Sequence, residues 1–187
     1  MLEFIKLIEG KSKPADIEII PLNFEPREVS SVMSKDTLNL HYEKLAKGYA
    51  KRYNNNEGDK DFNYAGVFLH NLWFTQFRQV VLSNKPNGPI KNFIDKHYGS
   101  FESFKDKFEE VAMGIQGSGW VYLATDGNIK TIKNHEVKGD ILLLIDWWEH
   151  AWILDYGSDK KTYLKDIWKI INWNVISTRL GKYWAAK

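Results

Sequence analysis

Five consecutive residues, Asp146-Trp147-Trp148-Glu149-His150, set a carboxylate and an imidazole four positions apart. Aspartate and neutral imidazole suit a borderline transition metal, and the tryptophans beside them would wall such an ion from water. An acid and a histidine at this spacing equally describe an ordinary surface pair, so a metal site needs further ligands. The chain offers few sources. It has no cysteine, which excludes thiolate metal centres, iron–sulfur and blue-copper sites, disulfides and cysteine nucleophiles. The HExxH pattern of zinc peptidases is absent too. The five histidines are His41, His70, His97, His135 and His150. His97, in Asp-Lys-His-Tyr, reads as a solvated surface residue. The other four lie in or beside apolar segments, where a lone histidine is normally a hydrogen-bonded structural residue. Three imidazoles and one carboxylate would leave an open position on iron or manganese, as redox catalysis requires. A site with two histidines and one carboxylate, as in oxygen-using iron enzymes, would leave more. Spacing alone leads to a His/Asp metal site shared between two parts of the chain.

The elements that must position these groups are legible in the pattern. Ile141–Ile145 is apolar throughout, as a buried strand is, and it delivers Asp146. Trp120–Ala124 and Ile129–Lys133 flank Thr125-Asp126-Gly127-Asn128, where Asp-Gly between short apolar runs signals a hairpin. Ser34 reads as a helix N-cap with Asp36 in the first turn, predicting a helix over about 35–53 on which His41, Leu45 and Tyr49 share a face. The cluster Asn54–Gly58 stops it. A second helix is predicted over about 61–82, with Val67, His70, Phe74 and Phe77 on one face. Two helices joined by a short turn make an antiparallel hairpin, in which His41 and His70 would face each other. Ser83–Pro89 reads as a linker. Residues 92–112 are helical in two pieces broken at Tyr98-Gly99-Ser100, and a last amphipathic helix is predicted over about 161–181. The expected fold class is α+β. Residues 1–33 are an irregular leader, 34–84 an N-terminal antiparallel helical hairpin, and 90–187 a C-terminal α/β subdomain with a three-stranded antiparallel sheet.

Composition excludes several function classes. A net charge of +2 with dispersed basic residues asks for no nucleic acid. No apolar run reaches the length of a membrane span. The first ten residues carry Glu3, Lys6 and Glu9 and lack the apolar region of a signal peptide. With the absence of cysteine, this fits a cytoplasmic protein.

The order of these landmarks resembles one family, the iron/manganese superoxide dismutases. Asp146-Trp147-Trp148-Glu149-His150-Ala151 is similar to its Asp-x-Trp-Glu-His-Ala signature. Tyr163-Leu164-Lys165-Asp166-Ile167-Trp168 followed by Asn172-Trp173, Gly117-Ser118-Gly119-Trp120, Tyr98-Gly99-Ser100-Phe101, His41-Tyr42 with Tyr49, and His70 match further segments in the same order. The resemblance spans roughly residues 20–184. It implies that His41, His70, Asp146 and His150 ligate one iron or manganese ion per subunit, with solvent as a fifth ligand. It implies that Tyr49 is a gateway tyrosine and that His135 lies against the bound solvent, both catalytic. Trp120, Trp148 and Phe74 become the aromatic wall, with Phe74 where the family usually has tryptophan. Lys160 becomes a cation of the substrate funnel, and Glu149 a bridge to the partner in a homodimer. The substrate is then superoxide, converted to dioxygen and hydrogen peroxide. His135, together with Gly66 where many iron enzymes carry glutamine, leaves metal choice open between iron and manganese, with iron favoured.

Two positions depart from the family pattern. Leu45 replaces a histidine four residues after the first ligand, and Ile153 replaces a tyrosine three after the last. In the family these two bond to each other across the dimer, so an apolar pair here bears on proton path and dimer rather than on metal binding. The competing reading is a non-catalytic structural or assembly protein on the same fold. Retention of all four ligand types weighs against it.

Overall fold

The computed structural model describes residues 14–185; the first thirteen residues of the expected leader lie outside that range. Residues 14–25 run extended across the helical hairpin. Asn54 and Asn71 side chains accept from the backbone of Ile17 and Ile20, and the Tyr42 hydroxyl donates to Ile20 O. Ile17, Ile19 and Phe24 are buried. A single turn, α1 (Pro26–Val29), follows.

Ser34 caps the next helix as predicted, its hydroxyl accepting from Thr37 N. The helix is not uniform. It begins as α2 (Lys35–Leu38), widens to a π-helical stretch over Asn39–Ala46, and returns to α-helix as α3 (Lys47–Asn54). Eight residues make about 2.2 turns of α-helix, which would rotate Tyr49 away from His41. The wider i→i+5 winding brings eight residues closer to two whole turns, and both side chains are buried.

Helix α4 spans Lys60–Thr75, capped by Asp59. It ends seven residues before the predicted stop, and tertiary pairing is the reason. Phe77 bridges to Ile171, Asn172 N donates to Gln76 O, and Arg78 N donates to Ile170 O. Backbone hydrogen bonds that would have continued the helix are spent on the C-terminal segment. The same pairing splits the predicted last helix. It becomes α8 (Lys160–Ile167), a 3-10 turn (Trp168–Ile170) and α9 (Trp173–Ala185), because Ile171 and Asn172 are extended against Phe77 and Gln76.

Between them, α5 (Gly88–Tyr98) begins inside the predicted linker, with Pro89 in its first turn, where a missing N–H costs nothing. Gly99, at φ +80°, ends it, and α6 (Phe101–Met113) follows. The sheet consists of β1 (Gly119–Ala124), β2 (Ile129–Lys133) and β3 (Ile141–Asp146), antiparallel in the order β2-β1-β3. Asp-Gly makes the β1–β2 turn, with Gly127 at φ +86° and Asn128 N on the Asp126 carboxylate. Both β1 and β3 are buried along their whole length. Helices α4 and α9 touch β3, while α6 lies against β1 and β2. The register pairs Trp120 with Asp146, so both side chains emerge on one face, toward the hairpin. A short turn, α7 (Ile153–Tyr156), links the end of the sheet to α8.

Candidate metal centre

Four side chains from four local structures converge. His41 comes from the π stretch, His70 from the middle of α4, Asp146 from the end of β3, and His150 from a 3-10 turn, Glu149–Ala151. One ligand atom from each lies within 4.8 Å of all the others. Nε2 of His41, His150 and His70 stands 3.1, 3.3 and 3.9 Å from Asp146 Oδ2. His41, His70 and Asp146 are fully buried.

Hydrogen bonds orient Asp146 and His70 and stop short of the centre. Asp146 Oδ1 accepts from Trp148 N at 2.7 Å, and the Asp146 carbonyl accepts from the Tyr163 hydroxyl at 3.0 Å. His70 Nδ1 meets Gly66 O at 2.6 Å. A carbonyl only accepts, so Nδ1 carries the proton and Nε2 presents its lone pair. Asp146 Oδ2 and Nε2 of His41, His70 and His150 are buried and make no hydrogen bond. Each such orphan costs about 1–3 kcal/mol. Four of them converging on one point fit a cation, since every one is a Lewis base.

Electrostatics prepare the same state. Burial, with His150 nearby, depresses His41 to about 4. Burial, then His41, holds His70 well below the usual imidazole range. Both are neutral at pH 7, as ligands must be. Burial alone would raise Asp146, but the imidazoles of His150 and His41 outweigh it and hold the carboxyl far below its ordinary value. A carboxylate beside the neutral imidazoles of His41 and His70 offers a cation both negative charge and free lone pairs.

A second ring of residues encloses the first. Trp120 donates its indole N–H to His135 Nδ1 at 3.1 Å. Indole only donates, so the His135 proton sits on Nε2, which is buried without a partner. Burial lowers His135 to about 4, keeping it a neutral donor. Tyr49 meets His135 edge-on at 4.9 Å and tilts over His70 at 5.4 Å. Burial, reinforced by Asp146, pushes its phenol up to about 12. Gly66 is required for this approach: a Cβ there would lie 2.8 Å from the Tyr49 ring. Trp148 stacks on His135 at 4.7 Å and on His150 at 5.7 Å, and Phe74 sets its edge to His41 at 5.0 Å.

The remaining candidates lie farther out. Leu45 is half-buried, while Glu149 is exposed and Ile153 is 41% exposed. Lys160 places its ammonium 5.0 Å above the Trp152 ring and 5.9 Å from that of Trp147. His97 is exposed on α5.

Sequence reasoning passed over two neighbours. Phe62 lies 4.7 Å from His135 and 5.9 Å from Tyr49. Its signal was present, because Phe62, Gly66 and His70 repeat every four residues along α4. Tyr163 was read only as a landmark, although it is the buried donor that ties α8 to the Asp146 backbone.

Comparison with known proteins adds an independent line. The family described as "Iron/manganese superoxide dismutases, C-terminal domain" matches residues 86–179. The Mn/Fe superoxide dismutase of Porphyromonas gingivalis is 35% identical over 189 residues, covering 87% of this chain and 98% of its own. The Fe superoxide dismutase of Bacteroides fragilis is 32% identical, covering 87% and 98%. That of Plasmodium falciparum is 30% identical, covering 89% and 97%.

Proposed function

The chain belongs to the iron/manganese superoxide dismutase family, and from that premise we propose that His41, His70, Asp146 and His150 hold its single iron or manganese ion. It is a superoxide dismutase. One superoxide is oxidised to dioxygen, and a second is reduced and takes up two protons to give hydrogen peroxide. The observation that carries the ligand assignment is the convergence of four buried donor atoms that bond to nothing else. When bound, the ion supplies the one-electron couple between trivalent and divalent states that both halves of the reaction use.

The protein's own groups do the rest. Asp146 offsets cationic charge, with Trp148 N–H and the Tyr163 hydroxyl fixing its carboxylate and carbonyl. His70 is locked in one tautomer by Gly66 O. The free Nε2–H of His135 and the phenol of Tyr49 are the donors assigned to the reacting oxygen species. Tyr49 keeps its proton because burial raises it. Trp120, Trp148 and Phe74 exclude water around the imidazoles. Lys160 serves as a cation that steers the anionic substrate.

Iron is the favoured metal, supported by relatives named for iron, while His135 and Gly66 leave the choice between iron and manganese open. A homodimer bridged by Glu149 is part of the proposal, supported by the exposed Ile153 and Leu154 on the turn just after the last ligand. So is a division into a helical hairpin, 34–84, and a C-terminal α/β unit, 90–187. Among the described residues no helix is long and apolar enough to cross a membrane. A cytoplasmic location is proposed from the cysteine-free composition. The non-catalytic reading lacks support, because all four ligand types are retained and the dismutase relatives match across 97–98% of their length.

Elemental analysis joined to a superoxide-consumption assay tests the reading. One iron or manganese per chain, with activity that disappears on chelation and returns on reloading, is the expected result. Metal-replete protein without activity would overturn it. Light scattering at micromolar concentration tests the dimer, which a monomeric mass would refute.

A further inference from the structure

Tyr49 also carries a charged neighbour outside the four ligand candidates. Arg52, one turn further along α3, sets its guanidinium carbon 4.8 Å from the centre of the Tyr49 ring. The guanidinium is itself tied down. Arg52 Nε donates to Asn63 Oδ1 at 3.1 Å, and Asn63 Nδ2 donates to Glu57 O at 2.9 Å. Glu57 N closes the circuit on Arg52 O at 2.8 Å. Asn63 is 3% exposed, so this clamp is anchored in the first turn of α4 rather than floating on the surface. Two glycines leave room for it. A Cβ at Gly48 would come within 3.2 Å of Arg52 Nη1, and one at Gly66 would strike the Tyr49 ring.

We propose that Arg52 is a positioning residue that fixes the Tyr49 phenol in its orientation toward the centre. The inference rests on the reading of Tyr49 as a hydrogen-bonding group of the dismutase. A planar guanidinium lies flat on an aromatic ring while its Nε–H is used elsewhere. A lysine lacks both the plane and the Nε–H, so it cannot lie flat on the ring while a separate atom donates to Asn63. Without the clamp, one of the groups that restrict the rotamer of the ring is gone, and the fraction of molecules with the hydroxyl correctly aimed falls.

The test compares four variants of the iron-loaded protein: Arg52→Ala, Arg52→Lys, Asn63→Ala and Tyr49→Phe, with Arg52→Ala also made in the Tyr49→Phe background. The expected results are a fall in kcat of about fivefold to tenfold for Arg52→Ala, only slight rescue by Arg52→Lys, and a smaller loss for Asn63→Ala. Iron stays at one per chain in each. In the Tyr49→Phe background, Arg52→Ala has no further effect. A crystal structure of Arg52→Ala shows Tyr49 in more than one rotamer, a readout independent of turnover. Asn63→Ala keeps the arginine and its charge, so it reports on the clamp even where Arg52→Ala folds poorly. If Arg52→Ala costs as much without the Tyr49 hydroxyl as with it, and the cost shrinks with added salt, the arginine acts directly on the anionic substrate and the proposal is overturned. A Tyr49→Phe loss with Arg52→Ala unaffected overturns the positioning role alone. Full activity in Tyr49→Phe overturns the underlying reading of Tyr49.

Discussion

Two buried polar clusters join the helical hairpin to the sheet, on the same helix and the same strand, and they are built on opposite principles. At the C-terminal end of α4, Gln76 exchanges two hydrogen bonds with the Leu144 backbone. Arg179 from α9 donates to Gln76 Oε1, Leu142 O and Leu72 O at 3.1, 2.8 and 2.7 Å. Burial lowers the Arg179 pKa only to about 10, so it stays charged and answers four acceptors at once, Thr75 Oγ1 at 3.4 Å included. Six residues back along the helix, His70 faces Asp146, two residues along the strand, and there the donor atoms answer nothing. Burial of polar groups is therefore no sign of function by itself. The sign is which atoms are left over once the protein has finished bonding to itself, and whether they are all of one chemical kind.

The largest test of that contrast is Asp146→Ala or His70→Ala. Activity should fall to background and metal to well under one ion per chain, measured by elemental analysis. Full occupancy in either variant would refute the ligand set. Next comes metal removal from the unmodified protein. An ion bound at a thousandfold excess over its dissociation constant contributes about 4 kcal/mol of stability, so chelation should lower Tm by roughly 10 °C. That increment should vanish in Asp146→Ala. Third is Arg179→Met, which leaves the Leu72 and Leu142 carbonyls short of a donor and should cost about 3 kcal/mol in urea denaturation. It should leave metal content at one per chain and the metal increment intact. Loss of metal in Arg179→Met would show that the two clusters are one, and the contrast would fail.

The contrast also separates what could be read in the sequence from what could not. A His/Asp metal site was legible because only five histidines occur and four of them lie in or beside apolar segments, while the particular ligand set, Tyr49 and His135 came from the family resemblance and not from any local pattern. The strands were legible because Ile141–Ile145 and the Asp-Gly turn are local signals. The satisfied cluster was invisible. Gln76 and Arg179 lie 103 residues apart, and their bond leaves no trace in either local pattern. The errors in helix length have the same origin. The apolar run continued past Thr75 and through Ile171, and nothing nearby announced that Phe77 and Ile171 would pair across the molecule. The π winding at His41 is also a tertiary choice, since the helical pattern of 35–53 shows no break.

His135 sits on the boundary between the two kinds of cluster, and the smallest predicted effect concerns it. Its Nδ1 is satisfied by Trp120, as in the structural cluster, while its Nε2 is left free, as in the metal cluster. The satisfied half serves the free half, because the indole N–H forces the proton onto Nε2. Glutamine can reproduce both contacts, its carbonyl accepting from Trp120 and its amide donating inward. His135→Gln should therefore leave metal content unchanged. It should change only how strongly the donor pulls on oxygen at the centre, and so shift the ratio of iron-supported to manganese-supported activity by about tenfold. Trp120→Phe removes the force on the tautomer and leaves the imidazole free to turn its lone pair inward, so it should depress activity with either metal. An unchanged iron-to-manganese ratio in His135→Gln would remove His135 from the functional set and return it to the structural one.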